Sequence, residues 1–138
     1  MKYIIQATNI HKGGGLSLLL LLLKAFDGKK CVVLLDTRLS LVEIPEDIEF
    51  LQFSPTLYGR LSAELYLWKN TSLCDVVLCF GNLPPLIKNR GKVFVFVQNR
   101  FIFGAQSLSK FALRTHVRLK IERMWFFARL RKKIRIIV

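Results

Sequence analysis

Residues 30–36 read Lys30-Cys31-Val32-Val33-Leu34-Leu35-Asp36, and this stretch decides the fold. The apolar run shows no alternation, so the strand it forms turns neither face to water. A strand buried on both faces belongs to a parallel sheet covered on two sides. Upstream, Asp27-Gly28 closes a leucine run over 16–26, which reads as a buried helix because leucine favours helix over strand. Before that helix stands Asn9-Ile10-His11-Lys12-Gly13-Gly14-Gly15, read as a loop, since three glycines in a row do not sit well inside a regular element. Residues 2–7 form a first strand.

Downstream, 48–53 reads as a short third strand. Residues 57–69 are helical, with Leu57, Leu61, Leu65 and Trp68 recurring every three or four positions. Residues 75–80 are a fourth strand ended by Gly81-Asn82. Leu83-Pro84-Pro85-Leu86 makes a rigid turn, because proline suits neither helix interior nor central strand. Residues 93–98 are a fifth strand, 107–132 a long helix, and 134–138 a sixth strand. Strands alternating with helices predict one α/β domain over residues 1–138 with a mostly parallel sheet. The apolar sixth strand either pairs inside the sheet or belongs to the front part of something longer.

The chain has 138 residues, of which 52% are hydrophobic, so disorder is excluded as its main state. The leucine run falls well short of the ~18 apolar residues a membrane span needs. No small-x-small cleavage site follows it, which argues against secretion. Cys31, Cys74 and Cys79 have no metal-ligand spacing and read as buried free thiols in a reducing compartment. With two histidines besides, no metal site is expected. The charge is uneven. Residues 1–90 hold 10 basic and 8 acidic residues, whereas 91–138 hold 12 basic residues and one acidic one, Glu122. Such a basic segment calls for an anionic partner. No nucleic-acid module is present, so nucleic acid is not expected.

Ligands of parallel α/β sheets bind beyond the carboxyl ends of the strands. Gly13, Gly14 and Gly15 precede a helix N-terminus, where amides and the helix dipole favour an anion such as a phosphate. A dinucleotide fingerprint is incomplete, because Leu18 stands where the third glycine belongs, although Asp36 mimics a ribose-binding acid. A nicotinamide-dependent oxidoreductase therefore stays open as an alternative. Asn82, Gln98 and Asn99 offer amides suited to sugar hydroxyls, and Arg100 a guanidinium; His11 lies in the glycine loop. No Ser-His-Asp, Cys-His or paired-carboxylate arrangement is visible.

A first strand followed by Asn-x-x-x-Gly-Gly-Gly-Leu, then Gly81-Asn82-Leu83-Pro84-Pro85, then a strand running into Gln98-Asn99-Arg100-Phe101, resembles the amino-terminal domain of retaining GT-B glycosyltransferases. The likeness runs from Tyr3 to Val138. It implies a Rossmann-like three-layer sandwich forming the acceptor-side half of a two-domain enzyme that moves a sugar from a nucleotide-sugar donor to a glycan or lipid-linked acceptor. It implies that Gly13–Gly15 reach the donor diphosphate, and that His11, Asn82, Gln98, Asn99 and Arg100 face the acceptor. It implies no cofactor beyond the nucleotide sugar. Such enzymes often carry a histidine after the fifth strand; Gln98 and Asn99 stand there instead. The donor-binding domain would be a partner outside this chain, so the chain alone is expected to be inactive. A nonenzymatic, membrane-associated subunit that recruits a separate donor domain is the alternative.

In the long helix, Leu113, Val117, Ile121, Met124 and Ala128 form a stripe expected to pack on the sheet. Arg123, Phe126, Arg129, Leu130 and Lys133 are then expected to face an anionic membrane surface, placing the protein in the cytoplasm at the inner face of the membrane.

Overall fold

The computed structural model describes residues 1–26, 28–39, 45–98, 112–130 and 134–137. In chain order these form β1 (Tyr3–Ala7), α1 (Gly14–Lys24), β2 (Cys31–Asp36), β3 (Glu49–Phe53), α2 (Leu57–Asn70), β4 (Val76–Cys79), β5 (Lys92–Phe96), α3 (Leu113–Arg129) and β6 (Ile134–Ile137). The six strands make one sheet in the order β3-β2-β1-β4-β5-β6. Every pairing is parallel. This is a Rossmann-like α/β fold, and the sixth strand joins the sheet at its edge, paired with β5 on one side and with Ile136 and Ile137 exposed.

Alternation along the strands divides the core in two. Ile5, Ala7, Val33 and Leu35 face α1, which contributes Leu19 and Leu23; Leu39 and Ile48 of the β2–β3 connection join them. Ile4, Val32, Leu34, Val77, Val93 and Val95 face α2 and α3, which contribute Ala63, Leu67 and Phe126. All six residues of β2 are buried, as a strand covered on both faces requires.

A polar network lies under the second layer. Gln6 Nε2 donates to Glu64 Oε1 at 3.1 Å, the Ile87 amide donates to Glu64 Oε2 at 3.2 Å, and the Cys79 thiol donates to Gln6 Oε1 at 3.3 Å. Glu64 is fully buried, and that burial raises its pKa despite the bonds it accepts. The network ties α2 and the Pro84-Pro85 turn to β1.

Several sequence expectations are corrected. Helix α1 begins at Gly14, so two of the three glycines lie inside it and Gly13 alone is the cap, at φ +73°. Cys74 is exposed, not buried. The faces of α3 are reversed: Phe126 is 0% exposed and Leu119 is buried, whereas Ile121 is 52% and Met124 69% exposed. Both stripes of α3 are apolar, and the one carrying Trp125 and Phe126 has more surface to remove from water, so it takes the core. Phe126 and Leu130 therefore pack inward and do not face a membrane. Arg129 turns inward as well, its Nε donating to the Pro85 carbonyl at 3.2 Å. Arg123 is half-buried, and Lys133 lies outside the described residues.

Candidate functional site at the switch point

Strand order reverses between β1 and β4: the chain leaves β1 towards β2 on one side and β4 towards β5 on the other. Ligands of such sheets bind in the crevice this reversal opens at the carboxyl edge. Here the crevice is held by short polar links. Asn9, after β1, donates from Nδ2 to the Gly81 carbonyl, after β4, at 3.1 Å. A Cβ at position 81 would overlap the Asn9 side-chain amide, so glycine here is what lets that amide lie against the backbone. Asn82 takes a left-handed backbone at φ +69° and its Oδ1 accepts the Gln98 amide at 2.6 Å, joining the end of β4 to the end of β5.

Gln98 in turn reaches the glycine run. A Cβ on Gly15 would lie 2.9 Å from Gln98 Oε1, so glycine lets the side chain rest against the first turn of α1. No side chain caps that turn and no acidic residue lies in it. Its exposed amides and dipole remain open to an anion. Of the residues expected to act together, Gly13, Gly14, Gly15, Asn82 and Gln98 are thus gathered on one rim. His11 lies in the loop between β1 and α1, partly buried, its Nδ1 without a hydrogen-bond partner. Asn99 and Arg100 fall outside the described residues.

Asp36, at the end of β2, is fully buried. Its carboxylate accepts from the Arg38 amide and Nε at 2.9 Å each, and from Nη2 at 2.6 Å. Those bonds from Arg38 hold its pKa below the usual carboxylate range. With the carboxylate fully buried and turned onto Arg38, Asp36 is not presented as a ribose acceptor, which weighs against the dinucleotide alternative.

The sequence reading missed a second part of this edge. A cleft of about 270 Å³ opens over β1, β2 and β3, lined by Thr8, Asn9, Arg38, Ser54, Thr56 and Arg60 among others. Arg60 and Asn9 also border the gap beside Gly81. The Thr56 hydroxyl caps α2 by accepting the Gly59 amide at 3.1 Å, and Ser54 Oγ lies 2.8 Å from it. Gly59 is required there because a Cβ would overlap the Ser54 carbonyl. Arg60 follows at once, its guanidinium 4.9 Å from the Trp125 ring centre. One signal was available: a cation near a helix N-terminus opposes the dipole, and such a placement calls for an anion beside it.

Among the described residues no cluster of His, Cys, Asp and Glu could hold a metal ion. Compared with family models, curated proteins and solved structures, the chain matches none.

Proposed function

We propose that the chain is the acceptor-side half of a GT-B-type sugar transferase, working with a donor-binding domain or subunit to pass a sugar from a nucleotide-sugar donor to a glycan or lipid-linked acceptor. The observation that carries this is the rim where α1's uncapped glycine start meets Gln98 and Asn82. One end offers backbone amides to a diphosphate; the other offers carboxamides, which donate to and accept from sugar hydroxyls. Catalysis would then rest on positioning and on stabilising the charge of the leaving diphosphate. The reading is tested by transfer assays in which the donor-binding half is supplied and Gly14 is replaced.

The transferase would work at an anionic membrane surface, through the outward faces of α2 and α3. Leu61, Leu65 and Trp68 of α2 are 48%, 48% and 56% exposed. On α3, Val117, Ile121, Met124 and Phe127 are exposed too, with Arg114, Arg118 and Lys120 exposed around them. Apolar stripes rimmed by cations suit an interfacial site on anionic lipid. The charge disfavours a second copy of the chain, whose identical cations would repel. Among the described residues no helix is long and apolar enough to cross a membrane.

A further inference from the structure

We infer that the cleft over β1–β3 is a binding site for an anionic sugar, one whose phosphoryl or carboxylate group sits between Arg38 and Arg60. Four observations carry this. The cleft holds about 270 Å³, room for a single sugar residue. Its polar lining mixes two guanidiniums with Thr8, Asn9, Ser54 and Thr56 and includes no carboxylate. Each guanidinium is braced by a group outside the cleft: Arg38 by Asp36 through Nε and Nη2, and Arg60 by the Trp125 ring. Finally, among the described residues no ion pair within 4 Å involves Arg60, although the buried Glu64 carboxylate one turn on feels its charge.

A guanidinium held by an aromatic ring at the border of an open cleft suits a charge-assisted bond to an oxyanion. Its loop-side neighbours are hydroxyls and an amide, groups that pair with sugar hydroxyls. The start of α2 adds its dipole in the same sense. The cleft shares Thr8, Asn9 and Arg60 with the gap beside Gly81, so it lies next to the glycine rim, but its lining includes none of Gly13–Gly15, Asn82 and Gln98. The sugar part of the inference rests on the acceptor-side reading above; the anion part rests on the cleft alone.

The test is an amide-resolved NMR titration of the full chain with glucose 6-phosphate, glucuronate, inorganic phosphate and glucose. Glucose 6-phosphate or glucuronate is expected to give saturable shifts at Thr8, Asn9, Ser54, Thr56 and Arg60. The tighter of the two assigns the group as phosphoryl or carboxylate. Glucose should produce no saturable shift there. Arg60→Gln should weaken binding at least about tenfold, whereas Lys92→Gln, exposed at the opposite edge of the sheet, should leave it unchanged. Mapping on the unaltered chain stands even if the Arg60 variant folds poorly. Shifts confined to Gly13–Gly15, or none with any probe, would overturn the site. Inorganic phosphate binding as tightly as glucose 6-phosphate would overturn its sugar part while leaving the transfer reaction to its own assay.

Discussion

Gly13 holds φ +73°, whereas Gly14 next to it has an ordinary helical backbone and open space where a Cβ would go. The two glycines therefore separate folding from ligand approach. Gly13→Val should cost about 1–3 kcal/mol in urea unfolding, because a β-branched residue resists the left-handed region. Gly14→Val should change stability by no more than about 1 kcal/mol, yet its side chain blocks an oxyanion from the first-turn amides. From the sequence the three glycines were indistinguishable; the sign of φ that separates them depends on how β1 enters the helix. Asp36 gives a second residue-scale test. Its pKa is lowered in the fold, so its contribution is present above the unfolded value near 4 and is lost as pH falls through the folded one. Asp36→Asn should thus destabilise by about 1–3 kcal/mol at pH 7, with the gap from the parent closing in acid. A gap that persists unchanged at low pH would remove the Arg38 pair from the explanation.

At the scale of elements, the strands and helices were legible because each has a clean signature. The unbroken run in β2 marked a doubly covered strand, and the spacing of Leu57, Leu61, Leu65 and Trp68 marked α2. Which face of a helix turns inward was not legible for α3, since periodicity finds apolar stripes but does not rank two of them. Ranking needed the area that Trp125 and Phe126 lose against the sheet. The same limit hid the arginine cleft, whose members come from the loops after β1, β2 and β3 and from α2 and meet only in three dimensions. Paired substitutions test the helix faces. Leu67→Ala and Phe126→Ala should cost about 2–5 kcal/mol by cavity formation, whereas Leu65→Gln and Ile121→Gln should stay within about 0.5 kcal/mol. Large losses from the second pair would mean that those stripes are covered within the chain itself.

For the whole molecule, a net charge of +13 and the outward stripes of α2 and α3 act in one direction. Each exposed cation near an anionic leaflet contributes about 1 kcal/mol, screened over about 8 Å at physiological salt. The chain should sediment with anionic vesicles, ignore neutral ones and release as salt rises; Trp68→Ser with Ile121→Gln should weaken binding without unfolding. Equal binding to both vesicle types would count against an electrostatic surface site. The reaction itself is tested most directly by labelled sugar transfer from nucleotide-sugar donors, measured with the purified chain added to source membranes that supply acceptor and donor-binding partner. The expected result is incorporation that rises with added chain, none from the chain alone, and none added by the Gly14→Val chain. Steady turnover by the isolated chain, or equal stimulation by Gly14→Val, would contradict the assignment.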